Sequence, residues 1–182
     1  MLGGEQDRQQ VIQKEVKSIS EKNVALARHL QLVVDVFELR SKWNFSNNQA
    51  NTTEPRILVR ALEANNQSKE WQQHPLRKHA LAEAYSMWAQ AAKSSTYSIE
   101  STDWHGLLRK SVETYDEVIN SDSPLATPLM KVSALNDVAN AYLYTGQMAA
   151  SVSYYNRTLE VNKNLSTAGN MIAALIKQKL YD

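Results

Sequence analysis

A single glycine with matched helical periodicity on both sides constrains this chain more than any other feature. Before it, Leu135, Val138, Ala139 and Tyr142 recur at i, i+3, i+4 and i+7, the spacing that lays one stripe of side chains along one face of an α-helix. After it, Ser151, Val152, Tyr155, Thr158 and Leu159 keep the same spacing. Gly146 stands between the two stripes, where a helix that must stop needs a residue tolerant of positive φ. The stretch Leu135 to Lys163 therefore predicts two amphipathic helices folded about a turn at Thr145-Gly146.

An earlier stretch repeats the pattern. Leu81-Ala82-Glu83-Ala84-Tyr85 matches Val138-Ala139-Asn140-Ala141-Tyr142, and Ser111-Val112, Tyr115 and Val118-Ile119 match Ser151-Val152, Tyr155 and Thr158-Leu159. Two helix pairs with the same small and aromatic positions form an internal repeat. The earlier pair carries Ala89 where the turn glycine would fall, and the link between its conserved-looking positions far exceeds the 2–8 residues usual between packed helices. Its helices are expected to be extended, with an ordered excursion between them through the polar segment Ser94 to Thr102.

The clear copy resembles a tetratricopeptide repeat (TPR), a helix–turn–helix unit of about 34 residues. Leu135, Val138-Ala139, Tyr142, Gly146, Ser151, Tyr155 and Thr158-Leu159 occupy its signature slots, although Ser151 and Thr158 stand where the family prefers Ala and Lys163 where it prefers Pro. The resemblance is specific over Leu135 to Lys163 and extends at most over Leu76 to Asp182. It implies an all-α fold of antiparallel helical hairpins, a TPR-like α-solenoid fragment, which the periodicity of Gln9 to Arg40 precedes with a long N-terminal helix. It implies a scaffold for binding other proteins, not a reaction.

The rest of the chain divides accordingly. Residues 1–8 are expected to be a flexible N-terminus, 9–74 a helical region, and 75–182 the TPR-like repeats. Gln9 to Arg40 lacks Gly and Pro, and Ile12, Val16, Ile19, Asn23, Leu26, Leu30, Val33 and Phe37 alternate at spacings of four and three. That is an a/d seam with Asn23 at an a position, as in a dimeric coiled coil. Val24, Leu32, Val34, Val36 and Leu39 widen the stripe, as in a helix buried by neighbours of its own chain. Homodimerisation through this helix and intramolecular packing are thus both open. Ser41 to Pro55 reads as a loop, with Thr53 as N-cap of a short helix from Pro55 to Asn65. Trp43, Phe45 and Trp71, in or beside loops, are expected to plug seams between helices. A helix from Pro75 to about Lys93 follows, then one capped by Thr102 or Asp103 and running to about Asn120. Pro128 starts the next helix. A last helix, begun at Asn164-Leu165-Ser166, either caps the final repeat or continues toward further repeats.

Composition excludes several classes of chemistry. The 182 residues include no Cys, which removes disulfides, thiol nucleophiles and Cys-zinc sites. A net charge of +1 offers no basic face for nucleic acid. No apolar run approaches the roughly 20 residues that a transmembrane helix requires, so direct membrane insertion is not expected. Nor is there a basic segment followed by an apolar one at the N-terminus. The expectation is a soluble protein, cytoplasmic or an extracytoplasmic fragment. Asn44, Asn51, Asn66, Asn156 and Asn164 begin Asn-x-Ser/Thr triplets, which mark surface positions at most.

Catalytic and metal-ligating patterns are missing. His74 and His79 are separated by Pro75 at a spacing unsuited to one helical face, His29 lies beside the apolar stripe of the long helix, and Asp103-Trp104-His105 places adjacent side chains in different directions, so Asp103 reads as a helix cap. No phosphate loop and no cofactor motif occurs, and the chain is read as non-enzymatic. What remains is a surface. The TPR resemblance implies that a partner protein or peptide would lie along the face formed by each repeat's first helix. In the clear copy, that face carries Ser133, Asn136, Asn140, Leu143 and Tyr144; in the irregular copy, His79, Glu83, Ser86 and Met87. Asn and Tyr can hydrogen-bond an extended peptide backbone. The lysines with which some TPR proteins clamp a terminal carboxylate are replaced here by Asn136 and His79. These residues could equally pack against the chain's own N-terminal helix.

Overall fold

The computed structural model describes residues 24–43, 52–64, 69–94, 103–163 and 165–181, and all regular structure among them is helical. In chain order the helices are α1 (Val24–Lys42), α2 (Thr53–Ala64), α3 (Lys69–Gln72), α4 (Pro75–Ser94), α5 (Trp104–Ile119), α6 (Pro128–Thr145), α7 (Met148–Val161) and α8 (Leu165–Tyr181).

Local signals set most of these boundaries. Asp103 caps α5, its side chain accepting from the Gly106 N–H at 3.0 Å. Thr127 does the same for α6 through the Met130 N–H at 3.2 Å, with Pro128 in the first turn, where a missing N–H costs nothing. Gly146 ends α6 in the left-handed region at φ 86°, and the N–H groups of Gly146 and Gln147 close back on the Leu143 and Tyr142 carbonyls. The expected turn at Thr145-Gly146 is thus present, and α7 begins two residues later. α2 starts at Thr53 itself, because the Arg56 N–H already bonds the Thr52 carbonyl at 3.3 Å; the cap lies one residue before the expected one. α4 runs on to Ser94, so helix extension takes up part of the long link in the earlier repeat copy. Residues 95–102 of that link lie outside the described residues.

α4 is the helix on which the others assemble. Fourteen of its twenty residues are buried, and it packs against α1, α2, α3, α5 and α6. Ala80, Ala82, Ala84, Ala89 and Ala91 are fully or almost fully buried, and such small side chains let neighbouring backbones approach closely. One continuous core joins Leu30, Val33 and Val36 of α1, Val59 and Leu62 of α2, Met87 of α4, Tyr115 of α5 and Val138 of α6. Residues on both sides of the expected boundary at 74/75 therefore share one core. A smaller cluster, Ala139, Leu143, Tyr155 and Ala174, joins α6, α7 and α8.

The described part of the heptad stripe lies within this fold. Val33 and Val36 are inaccessible to solvent, Leu30 and Val34 are nearly so, and α1 packs on α2 and α4 of its own chain. Ile12, Val16, Ile19 and Asn23, on which a homodimeric coil would depend, lie outside the described residues. Trp43 and Trp71 are buried as expected; Phe45 lies outside the described residues. No described helix is long and apolar enough to cross a membrane.

The two helix pairs, α4–α5 and α6–α7, share a bonding pattern. The Ser111 hydroxyl on α5 donates to the Ala82 carbonyl on α4 at 2.8 Å, and the Ser151 hydroxyl on α7 donates to the Ala139 carbonyl on α6, also at 2.8 Å. One residue further along each first helix, Glu83 accepts from the Tyr115 hydroxyl and Asn140 accepts from the Tyr155 hydroxyl at 2.5 Å. Both serines and both tyrosines are fully buried. The sequence repeat is therefore also a repeat of buried hydrogen bonds, and Ser111 and Ser151 use their hydroxyls to tie one helix to the next.

Candidate functional site

The first helices of the two pairs, α4 and α6, leave a cleft between them that α1 borders on a third side. It measures about 510 Å³, within the size range of ligand-binding clefts. His79 and Glu83, one turn apart, are supplied by α4; Ser133, Asn136, Asp137 and Asn140 by α6; and Phe37 and Arg40 by α1. Leu76, Leu129 and Met130 add apolar wall.

Five residues expected on a partner-facing surface thus converge here: His79, Glu83, Ser133, Asn136 and Asn140. The others do not. Met87 is fully buried and Ser86 nearly so, because α4 is enclosed by several helices. Leu143 is buried in the smaller cluster with Tyr155 and Ala174, pointing away from the cleft. Tyr144 is 39% exposed but does not line the cleft. The structure corrects the expectation at Ser86, Met87 and Leu143, which are packing residues, and at Glu83, which lines the cleft but is buried with both oxygens engaged within the chain. α1 covers the α4 side of this face, whereas Ser133, Asn136, Asp137 and Asn140 on α6 are half-buried.

The floor of the cleft is a charged network. The Arg40 Nε pairs with Glu83 Oε1, and the Tyr115 hydroxyl donates to Glu83 Oε2. Glu83 is only 4% exposed, and burial pushes its carboxyl above the usual range, with Arg40 opposing and Asp137 adding to the shift. Burial would lower the Arg40 guanidinium, but the Glu83 and Asp137 carboxylates hold it above its ordinary value. Burial, Glu83 and Asp137 together raise the Tyr115 phenol well above its own. With both oxygens engaged, Glu83 acts as a strut between α1, α4 and α5 and is poorly placed for acid–base exchange.

Asp137 sits at the rim of this network. Its Oδ2 accepts from the Ser133 hydroxyl at 3.2 Å and faces His79 Nε2 at 3.5 Å. At that separation the two attract electrostatically if His79 is protonated, but they do not form a hydrogen bond, and neither His79 ring nitrogen has one. The His79 ring is held by Phe37, centroids 5.6 Å apart, and by Tyr115 at 5.4 Å, edge-on. Sequence reasoning missed Arg40 and Asp137. Asp137 was accessible to it, since Ser133, Asp137 and Asn140 fall at i, i+4 and i+7 on one face; Arg40 reaches the site only through tertiary packing.

The asparagines have a defined orientation. Asn136 Oδ1 accepts from the Thr167 hydroxyl of α8 at 3.4 Å, and Asn140 Oδ1 accepts from Tyr155 of α7. With the carbonyl oxygens turned toward the body, the amide NH2 groups are the remaining donors.

The other histidines serve packing. His29 is buried and stacks on Trp71 at 5.3 Å, and His74 meets the same indole at 5.3 Å. Burial lowers the His74 imidazole below its ordinary value. His105 stacks on Trp104. Among the described residues no group of three or more His, Asp or Glu could hold a metal ion. Comparison with known proteins returns no match to a protein family, a curated protein or a solved structure.

Proposed function

We propose that this chain is a non-enzymatic protein-interaction scaffold with TPR-like helical pairs, and that the cleft between α4 and α6 receives an extended segment of a partner protein. The observation that carries this reading is the pair of oriented asparagines. Asn136 and Asn140 are one turn apart on α6, so a rise of about 6 Å separates them. Carbonyls on one side of an extended peptide recur every second residue, about 6.6 Å apart. Two amide donors at that interval can satisfy two alternate carbonyls, and Leu76, Leu129 and Met130 provide apolar contact beside them. The repeated serine and tyrosine bonds support the TPR-like reading, because both pairs use the same positions to fix their two helices together.

The test is selection of a random peptide library on the full chain, followed by affinity measurement with Asn136→Ala/Asn140→Ala. Those substitutions remove the outward donors without adding charge beside Asp137. Selected peptides should lose at least tenfold in affinity while circular dichroism stays unchanged. Failure to enrich any peptide, or binding indifferent to the double substitution, would refute the reading.

A further inference from the structure

The cleft carries a charge that its own residues leave unbalanced. Among the described residues that line it, the charged groups are one guanidinium, Arg40, and two carboxylates, Glu83 and Asp137. Arg40 and Glu83 are directly paired, and Glu83 is further engaged by Tyr115. Asp137 feels the Arg40 guanidinium through space, but its direct contacts are a neutral hydroxyl, Ser133, and His79 at 3.5 Å. Its side chain retains 16% of its accessibility, so it can be reached from the cleft.

A second observation concerns His79. The residue is 5% exposed and lines the cleft, yet both ring nitrogens lack a hydrogen bond. Buried polar atoms without partners are destabilising. They are rare enough in native folds to call for an explanation. An anionic guest would not supply one: it would meet Asp137 and Glu83, and Arg40, the one cation among the described lining residues, already pairs with Glu83. A cationic guest would balance Asp137, and the unprotonated nitrogen of an imidazole beside it can accept a hydrogen bond from the same group.

Resting on the reading of the cleft as a peptide site, we propose that it selects a basic side chain, arginine or lysine, whose charged end sits against Asp137 and His79. The alkyl stem of such a side chain fits the rest of the lining. Leu76, Met130 and the Phe37 ring are apolar surfaces along which an aliphatic chain can lie while its head reaches a carboxylate. A guanidinium can in addition stack over Phe37.

The probes are N-acetyl-arginine methylamide and its lysine, norleucine and glutamate counterparts, titrated into the full 15N-labelled chain and followed by NMR. Arginine and lysine should shift the amides of residues 79, 133, 137 and 140 at concentrations at least tenfold lower than norleucine or glutamate. Asp137→Asn keeps the Ser133 contact and should weaken the basic probes at least tenfold. Asp137→Lys places a cation in the site and should abolish their binding, its fold checked by spectral dispersion. Equal response to arginine and norleucine, shifts away from the cleft, or arginine binding unchanged in Asp137→Asn would overturn the proposal, as would silence to 20 mM probe. Library peptides that depend on Asn136 and Asn140 but contain no basic residue would overturn the charge preference and leave peptide binding standing. A library that yields nothing would remove both.

Discussion

Replacing Arg40 by Met tests how α1 is held on the body of the protein. The side chain keeps its bulk, but Glu83 loses its ion-pair partner while 4% exposed. Removing one member of a buried pair typically costs 3–5 kcal/mol, because the other charge is stranded. Glu83 has an escape, which is to take up a proton. From its ordinary value of 4.5, protonation costs about 1.36 kcal/mol per pH unit, so the penalty cannot exceed about 3.4 kcal/mol at pH 7 or about 0.7 kcal/mol at pH 5. The sign follows from the direction of the shift. Without Arg40, burial raises the folded-state carboxyl further above its unfolded value, so the folded state gains protons, and stability, as pH falls. Because the Glu83 carboxyl is already raised in the wild type, urea unfolding of wild type and Arg40→Met should show a loss below about 3 kcal/mol at pH 7 that shrinks further, to below about 1 kcal/mol, at pH 5. Arg40→Met/Glu83→Gln should recover part of the loss at pH 7, since Gln can still accept from Tyr115. An equal loss at both pH values would refute the reasoning, because lost packing does not titrate.

Three further substitutions probe the elements that position the cleft. Gly146→Ala puts a Cβ on a backbone at φ 86° and 3.2 Å from Lys93 Nζ; the lysine end can move but the backbone cannot, so a loss of about 1–2 kcal/mol is expected by urea denaturation, and an unchanged midpoint would contradict it. Leu62→Ala empties a fully buried position where α2 meets the main core, and should cost about 2–5 kcal/mol; a loss below 1 kcal/mol would mean that α2 is not packed as described. Asp103→Ala removes the bond to the Gly106 N–H and should cost about 0.5–2 kcal/mol, whereas Asp103→Asn should keep most of it; equal losses in the two variants would show that capping is not the cause.

The helical fold was legible because its signals are local. The 3.6-residue stripes, Asp103 before α5, Pro128 at the head of α6 and Gly146 at its end each act within a few residues, and each is used as expected. The site was legible only in part, because carrying over family positions takes no account of what else packs on a helix. Met87 occupies a nominally open position, yet it is buried where α4 is enclosed on several sides. Arg40 and Glu83 are too far apart in sequence for any periodicity to link them, and the stripe on α1 also fits a dimer seam.

The two repeat copies diverge at one position in a way that accounts for the asymmetry of the cleft. In both, a buried tyrosine donates to the residue that follows the serine-bonded alanine. In the second copy that residue is Asn140, neutral and half-buried, which requires no further partner. In the first it is Glu83, a buried carboxylate for which a tyrosine alone is insufficient compensation. Its deficit is met by Arg40 from α1, and Phe37 one turn earlier on the same helix packs on His79. The acid at Glu83 therefore gives α1 an electrostatic reason to dock on α4, while the amide at Asn140 gives nothing a reason to dock on α6. Among the described residues, α1 thus closes the α4 side of the cleft, while on the α6 side Asn136, Asp137 and Asn140 remain half-buried.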